Sequence, residues 1–406
     1  MPRRSVALPS PVLIETQSAL GEVVAACRSE GRFAFDTEFV MEDRFEAELC
    51  LVQLATPSVV AVVDPLSGIK LDGVWELVCD EGVETIVHAG QEDLGLCVQQ
   101  SGKAPRNVFD VQVAAGLCGY EYPLSLQRLA QAVLHVRLRK SKTLVDWRQR
   151  PLTAARIAYG AEDVGYLPAI HARLTERLRR AGRCDWAREE FGDLEDPKTY
   201  RRAVEDVLAR VKGAGSLRGQ ALAVVRELLV WRESFARQVN RPARAVLKDH
   251  LLVEIARQAM TSAADIRELR GINLSRRNIE EVASVVQQAQ ALPPSSWPEA
   301  KANETEIPHE AALVALATAV VRSYCHEHHL AYSLVATQRS IRELIRFATV
   351  AGEKGADSVE LLRGWRGQSI GKLLEEVLAG RRAVHVERTE DTWAVHISPH
   401  GDVRGD

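Results

Sequence analysis

Residues 32–40, RFAFDTEFV, place two carboxylates near the centre of an apolar, strand-like run. Asp36 and Glu38 are two positions apart, and side chains alternate along a strand, so both carboxylates lie on one face. Like charges on one face repel, and burying either is costly unless something compensates. The segment therefore predicts a buried strand that presents two acidic groups to a site with compensating charge.

Two further acidic positions follow in the first half of the chain. Asp93 lies in HAGQED, directly after the apolar run TIVHAG, and Asp163 lies in YGAEDVGYL, four residues after Tyr159. Residues i and i+4 share one face of a helix, so Tyr159 and Asp163 are expected to point together. Four carboxylates in one cleft need cations, and two divalent ions about 3.5–4 Å apart are a known device for phosphodiester chemistry. Oxygen ligands without Cys or His favour Mg²⁺ or Mn²⁺ over Zn²⁺.

Strand-like and helix-like segments alternate up to about residue 190. FAFDTEFV, ELCLVQLAT, VVAVVDP and TIVHAG predict strands, and NVFDVQVAAGLCGY begins as a strand and continues as a helix. QEDLGLCVQQSG, LSLQRLAQAVLHV and the long region PLTAARIAYGAEDVGYLPAIHARLTERLRRAG predict helices. This alternation indicates an α/β domain in which helices flank a mixed sheet.

The pattern after residue 190 is helical, apart from two polar linkers and a terminal β-hairpin in AVHVERTEDTWAVHIS. We predict an α/β domain at 1–190, a linker at 191–212, a helical domain at 213–292, a second linker at 293–308, and a C-terminal helical domain at 309–406 that ends in the hairpin.

Composition limits the class of protein. The 406 residues are 46% hydrophobic, enough for two or three domains. With a net charge of -3, any nucleic-acid binding must depend on local basic segments such as 173–183 and 201–219. Seven scattered cysteines without a C-x-x-C pair predict reduced thiols in a cytoplasmic protein. We expect no signal peptide, since the first residues lack an apolar core, and no membrane span of roughly twenty apolar residues.

FDTEF, HAGQED and Y-x-x-x-D, in that order, resemble the three exonuclease motifs of the DEDD superfamily, in the subgroup with tyrosine in the third motif. LVQLA, VDPL, FDVQVAAGLCGY and KSKTLVDWRQRPLT extend the likeness over roughly residues 25–180, where the sequence is similar to the ribonuclease D family. SLRGQALAVVRELLVWRESFARQVNRPARAVLKDHLLVEIA resembles an HRDC domain, a helical nucleic-acid-binding module. Residues 309–406 stand in the place of a divergent second HRDC-like module.

The resemblance implies a ribonuclease H-like exonuclease domain followed by all-α HRDC-like domains. It implies four ligands for two divalent ions, Mg²⁺ or Mn²⁺: Asp36, Glu38, Asp93 and Asp163. Tyr159 is implied to position the nucleophilic water. The implied reaction releases nucleoside 5′-monophosphates from RNA 3′ ends, with transfer RNA precursors or other structured RNA as the partner. A monomer is favoured, and no membrane partner is expected.

Two alternative functions are consistent with the same residues. A 3′→5′ DNA exonuclease would keep the chemistry and differ in contacts to the ribose 2′-hydroxyl. A non-catalytic nucleic-acid-binding scaffold would be favoured had a carboxylate been lost, whereas all four are present.

Several other positions within the motifs are interpreted individually. Candidates for substrate contacts are Thr37, His88, Lys140, Ser141 and Trp147. Leu144 and Val145 stand where polar residues are expected near substrate. Asp64 and Asp110 end predicted strands, a position at which aspartate usually forms a turn or caps a helix.

Overall fold

The described residues form two compact units. The computed structural model describes residues 8–138, 146–201, 203–298, 307–350, 355, 358–388 and 393–400. One unit contains those within 1–38, 50–197 and 306–406, and the other contains those within 39–49 and 198–305. The C-terminal segment therefore groups with the N-terminal α/β region.

A six-stranded sheet forms the centre of the first unit. Its strands are β1 (Val12–Ile14), β2 (Arg32–Val40), β3 (Glu48–Ala55), β4 (Val60–Val63), β5 (Glu84–Val87) and β6 (Val108–Asp110). Their order is β1-β4-β3-β2-β5-β6. β1 is parallel to β4, β3 is antiparallel to β4, and β5 is parallel to both β2 and β6. The predicted mixed sheet is confirmed, while β1, with only three residues, is too short for its periodicity to be recognised.

The described residues of the first unit form eight α-helices before residue 196. They are α1 (Gln17–Glu30), α2 (Asp72–Val78), α3 (Gln91–Ser101), α4 (Val111–Leu117), α5 (Leu126–Leu134), α6 (Ala154–Gly165), α7 (Leu167–Ala181) and α8 (Cys184–Glu195). Thr16, Ser125 and Thr153 each accept a hydrogen bond from the backbone N–H three residues later. These bonds satisfy amides that have no partner inside a helix, and they define where α1, α5 and α6 begin.

The long helical region predicted after Pro151 is confirmed, and it consists of two helices. α6 ends at Gly165 and α7 begins at Leu167. Pro168 lies in the first turn of α7, where its missing N–H needs no partner, whereas in a continuous helix its ring would clash with the preceding turn.

The apolar side chains of the central strands form a closely packed core. At most 1% of each is exposed for Phe33, Phe35, Leu51, Leu54 and Ile86. Phe33 and Phe35 meet edge to face at 6.4 Å between ring centroids. β2 is therefore held rigidly at the position from which Asp36 and Glu38 project.

The second unit is entirely helical over its described residues beyond 198, as predicted. Its helices are α9 (Val204–Arg210), α10 (Gly219–Gln238), α11 (Ala243–Val246), α12 (Asp249–Arg257), α13 (Ala263–Glu268) and α14 (Arg276–Gln290). Arg232, only 3% exposed, donates to the Asp249 carboxylate at 2.7 Å and to the Leu247 carbonyl at 3.0 Å. This buried pair links α10 to the start of α12 within an otherwise apolar core.

The C-terminal segment is helical and ends in a hairpin, as predicted. Its helices are α15 (Glu310–Glu327), α16 (Tyr332–Val335), α17 (Gln338–Val350), α18 (Gly364–Arg366) and α19 (Lys372–Leu378), with a π-helical turn at Gly367–Gly371. The antiparallel strands β7 (Arg382–Arg388) and β8 (Trp393–Pro399) form the hairpin, with Arg388 opposite Trp393.

Helix α8 joins this C-terminal segment to the sheet-containing part of the same unit. The Trp186 and Trp365 rings stack with centroids 4.6 Å apart. Glu189 accepts from the backbone N–H of Trp365 at 3.0 Å, and Glu190 accepts from its indole N–H at 2.7 Å. Helix α8 continues past the predicted border at residue 190. The domain borders at 190, 212, 292 and 308 stay predictions.

Candidate active site

Strand β2 presents three polar side chains in succession next to its apolar core residues. Asp36 and Glu38 are half-buried, and Thr37 between them is 6% exposed. Because side chains alternate along a strand, Thr37 projects to the face opposite the two carboxylates.

Asp93 reaches β2 through the neighbouring strand. β5 lies parallel to β2, with Ile86 opposite Ala34, and the chain then turns into α3, whose first turn carries Asp93. The backbone N–H of Thr37 donates to Asp93 Oδ1 at 3.0 Å, and the Thr37 hydroxyl donates to the same oxygen. Two hydrogen bonds therefore link the HAGQED motif directly to the FDTEF motif.

Helix α6 carries the third motif. Tyr159 and Asp163 lie one turn apart on it, and the helix packs against β4. The Tyr159 ring lies 5.9 Å from the Trp147 ring, measured between centroids. Trp147 is 7% exposed, so its indole forms a packed wall beside the tyrosine.

The electrostatics of β2 show that the acidic groups face a common space. Burial raises the pKa of Asp36 well above its usual value, and the charges of Asp93, Asp163 and Glu38 raise it further. Burial, followed by the charges of Asp163 and Asp93, raises the pKa of Glu38 to about 8. Carboxylates affect one another in this way only over short distances in a poorly solvated region.

The pKa values of the other two carboxylates, Asp163 and Asp93, rise by smaller amounts. Burial raises the pKa of Asp163 to about 7, with a smaller contribution from Glu162. Burial also raises the pKa of Asp93, to about 6, although the hydrogen bonds from Thr37 oppose the rise. The raised pKa values mean that ionising all four carboxylates at neutral pH costs free energy, and a bound cation would offset that cost.

Comparison with known proteins agrees with this geometry. Residues 11–179 match the family model described as 3′-5′ exonuclease, and residues 221–286 match the HRDC domain model. Ribonuclease D of Gluconacetobacter diazotrophicus is 35% identical over 388 residues, which cover 94% of this chain and 96% of that protein. The corresponding protein of Acidiphilium cryptum is 33% identical over 385 residues, with 94% and 96% covered. The chain belongs to the ribonuclease D family.

A solved structure extends the likeness to the fold. The crystal structure of Escherichia coli RNase D aligns with a TM-score of 0.78 at 26% identity, covering 91% of this chain and 99% of that one. This ribonuclease D family member is therefore a 3′→5′ exoribonuclease with a mixed-sheet exonuclease domain and a helical HRDC domain. Among the described residues, none of the helices combines the length and apolar character needed to cross a membrane.

The carboxylates of this ribonuclease D family member form a donor set suited to hard divalent cations. All four offer oxygen, the ligand that Mg²⁺ and Mn²⁺ prefer. Within the described ranges, however, no three Asp, Glu, His or Cys side chains form a group ready to hold a metal ion. One oxygen of Asp93 is engaged by Thr37, and the carboxylates repel one another. The donor chemistry of the four side chains fits a hard divalent cation.

The candidate substrate contacts fall into three groups. Thr37 holds Asp93, and Trp147 packs beside Tyr159. His88 is half-buried, burial lowers its pKa, and its Nε2 lies 2.8 Å from the Leu124 carbonyl oxygen, a contact that fixes the ring. Lys140 and Ser141, together with Leu144 and Val145, lie outside the described residues. The assignments of substrate contacts remain predictions.

Asp110 has the structural role predicted for it. Its carboxylate caps α4 by accepting from the Gln112 N–H at 2.7 Å. It also accepts from the backbone N–H groups of Ala89 and Gly90, each at 3.2 Å. Asp110 thereby holds the turn that leads from β5 to Asp93.

Two supporting contacts were not predicted from the sequence. Gln53, in the apolar strand LVQLA, is fully buried, and its amide has no hydrogen-bond partner among the residues described. It lies against Gly160, where a Cβ would be 3.1 Å from Gln53 Nε2, so Gln53 packs against α6 next to Tyr159 in the sequence. The sequence did offer a signal for Gln53, since it is a polar residue inside an apolar run. The second contact, between Arg150 and Asp64, joins residues 86 positions apart and leaves no local signal.

Replacing Gly90 by alanine is expected to impair catalysis and stability together. A Cβ at Gly90 would lie 2.5–2.9 Å from the side-chain atoms of Val87, so the start of α3 must shift. Such overpacking costs about 1–3 kcal/mol, and the shift would move Asp93 away from Thr37. Exonuclease rate and thermal unfolding measure the two effects. Gly21→Ala is the control, because a Cβ there meets nothing within 4 Å. If both variants had the same exonuclease rate and the same unfolding temperature, the packing argument would be contradicted.

Proposed function

We propose that the four carboxylates bind two divalent cations, Mg²⁺ or Mn²⁺, and that the chain removes nucleoside 5′-monophosphates stepwise from RNA 3′ ends. The observation that carries this proposal is the acidic cluster itself, in which the charges of Asp93 on α3 and Asp163 on α6 raise the pKa values of Asp36 and Glu38 on β2. All of its residues also lie within residues 11–179, which match the exonuclease family model.

Each residue of the cluster has a distinct task in this proposal. Bound cations would supply an activated water and stabilise the leaving 3′ oxygen. Asp36 and Glu38 provide ligands from a rigid strand, and Asp93 is oriented by Thr37. Tyr159 shares a helix face with Asp163, which suits its hydroxyl to hold the attacking water in line with the phosphodiester.

Replacing Tyr159 by phenylalanine is expected to lower kcat by roughly 10²-fold while changing metal affinity little, because only the hydroxyl that orients water is lost. The phenylalanine ring retains the packing against Trp147. Single-turnover rates and Mn²⁺ titration measure the two effects. A variant with the wild-type rate would remove Tyr159 from the mechanism.

The proposed substrate is a structured RNA with a 3′ extension, such as a transfer RNA precursor. The Escherichia coli relative is described as an exoribonuclease involved in structured RNA processing. Part of the basic segment at 173–183 is already engaged within the protein. Arg179 and Arg180 pair with Glu176, and Arg183 donates to the Leu117 carbonyl. The HRDC domain, matched at residues 221–286, is therefore the better supported candidate to hold the body of the RNA.

Product analysis tests the proposed function. A transfer RNA with a 3′ trailer, labelled at its 5′ end, is incubated with the full chain and Mg²⁺ or Mn²⁺. We expect a ladder that shortens by single nucleotides, release of 5′-monophosphates, and no reaction in EDTA. Asp163→Asn should be inactive, whereas the matched amide variant Glu92→Gln, at an exposed acid beside Asp93, should retain activity.

Two results would contradict the proposal. One is an undiminished rate for Asp163→Asn or in EDTA, and the other is product without a 5′-phosphate. The same trailer made of DNA addresses the sugar preference, and faster degradation of DNA would reassign the substrate.

A further inference from the structure

Two thiols that are not part of the carboxylate cluster lie against each other. Cys79 caps the end of α2, and Cys97 lies in the middle of α3. Their Sγ atoms are 3.7 Å apart, whereas a disulfide bond is about 2.0 Å long. The two sulfur atoms must therefore approach by less than about 2 Å, a movement within reach of side-chain rotation and a small helix shift.

We propose that Cys79 and Cys97 form a peroxide-responsive dithiol, whose oxidation to a disulfide restrains the helix that carries Asp93. The two cysteines occupy unlike environments. Cys79 is half-buried, and Cys97 is fully buried. Lys103 and Arg106 lie near enough to favour a thiolate at Cys79. The geometry thus provides an accessible attacking thiol with a protected partner beside it.

The protonation of the pair supports these roles. The hydrogen bond from Cys97, which outweighs burial, lowers the pKa of Cys79 to about 7. The same contact, followed by burial, raises the pKa of Cys97. At neutral pH, Cys79 is therefore the sulfur that carries substantial thiolate, the reactive form.

The reaction uses hydrogen peroxide as the oxidant. The Cys79 thiolate attacks one peroxide oxygen, the O–O bond breaks, hydroxide leaves and takes up a proton to form water, and a sulfenic acid remains on Cys79. The Cys97 sulfur then attacks Cys79 Sγ, so that the S–S bond forms as the S–O bond breaks, and the sulfenic hydroxyl leaves with the Cys97 proton as a second water. Two thiols are oxidised and one peroxide is reduced to two waters; a dithiol reductant reverses the change.

The link to the active site follows from α3. Cys97 lies one turn after Asp93 on this helix, so both project from the same face. A bond from Cys97 to the end of α2 would pull on the helix that positions the Asp93 carboxylate beside Thr37. Small displacements of catalytic groups are costly, so we expect kcat to fall by roughly tenfold on oxidation. This part of the inference rests on the proposed function.

The chain offers a direct chemical test. No Lys or Arg lies between Lys70 and Lys103, so one tryptic peptide, residues 71–103, contains both cysteines. The full chain is treated with hydrogen peroxide, unfolded, alkylated with iodoacetamide, digested and weighed. We expect this peptide to lose two hydrogen atoms and to escape alkylation, and dithiothreitol to restore both reactive thiols. Alkylation of both cysteines after peroxide treatment would overturn the proposal.

Two serine variants separate the pair from other thiols. Cys79→Ser should abolish both the disulfide and the fall in kcat, while Cys184→Ser, at an exposed cysteine, should change neither. A disulfide that forms without any fall in kcat would overturn the restraint on α3. Absence of exonuclease activity in the reduced chain would instead count against the proposed function and leave the peptide result intact.

Discussion

Asp36→Asn is expected to abolish RNA hydrolysis while stabilising the metal-free protein. The amide removes one ligand charge from the centre of the cluster, where Asp36 faces three other carboxylates. Loss of several kcal/mol of transition-state stabilisation corresponds to a fall in kcat on the order of 10³-fold or more. Single-turnover hydrolysis of a 3′-extended RNA with saturating Mg²⁺ or Mn²⁺ measures this loss.

The stability of the same variant tests the physical origin of the effect. The neutral amide relieves burial of a charge and its repulsion by the neighbouring carboxylates, which should add roughly 1–3 kcal/mol to the free energy of unfolding in EDTA. Divalent cations should stabilise the wild type more than the variant, because they bind the folded wild-type cluster more tightly.

The gain in stability of Asp36→Asn over the wild type should increase as the pH rises. The folded state raises the pKa of Glu38 from 4.5 to about 8 and that of Asp163 from 3.8 to about 7. The folded protein therefore binds more protons than the unfolded chain, and its stability falls as pH rises from about 4 to about 8. In EDTA, the advantage of Asp36→Asn should be large at pH 8 and nearly absent at pH 4.

Glu92→Gln is the matched control for these measurements. It removes one negative charge beside Asp93 from an exposed position that is not a proposed ligand. Its kcat should stay within about twofold of the wild-type value. Such a change corresponds to well below about one kcal/mol of activation free energy. If Asp36→Asn were no more stable than the wild type in EDTA at pH 8, repulsion within the cluster would not be the cause.

Arg150→Met is expected to destabilise the sheet-containing unit by about 3–5 kcal/mol, because it leaves a buried carboxylate without its partner. Arg150 donates twice to Asp64, through Nε and Nη2, each at 2.6 Å. It also donates to the carbonyl oxygens of Trp147 at 2.7 Å and Cys50 at 2.9 Å. The Asp64 side chain is only 4% exposed, so water cannot replace the guanidinium.

Loss of the Arg150 side chain should also disturb the active site. Arg150 holds the segment that carries Trp147 against β3, and Trp147 packs beside Tyr159. We therefore expect lower exonuclease activity even below the unfolding transition. Hydrogen exchange of the β3 and β4 amides measures the stability of this unit without relying on one global transition.

Arg148→Met is the control for Arg150→Met. Arg148 pairs with Asp146 at 2.9 Å, with both side chains about 40% exposed, and solvent screening leaves such surface pairs little effect on stability. Equal effects of the two substitutions would show that the Arg150–Asp64 pair does not hold the segment.

Local patterns in the chain predicted much of the architecture and the acidic cluster. Period-2 runs of Val, Leu and Phe identified β2, β3 and β4, and helical periodicity identified the all-α second unit. Asp36 and Glu38 were recognisable because two charges on one strand face are unfavourable unless they bind something. The helical region after Pro151 was recognisable in the same way, whereas the change from α6 to α7 at Tyr166 coincides with Pro168 in the first turn of α7 and not with a change in the apolar pattern.

The sequence by itself determined the residue types: four carboxylates and a tyrosine in motif order, placed on elements whose local periodicity is strong. Only the tertiary structure decided which groups hold them in place. The bonds from Thr37 to Asp93, the Arg150–Asp64 pair and the approach of Cys79 to Cys97 join residues far apart in the chain. Such contacts depend on how strands and helices pack, and packing leaves no periodic trace in the residues that make it.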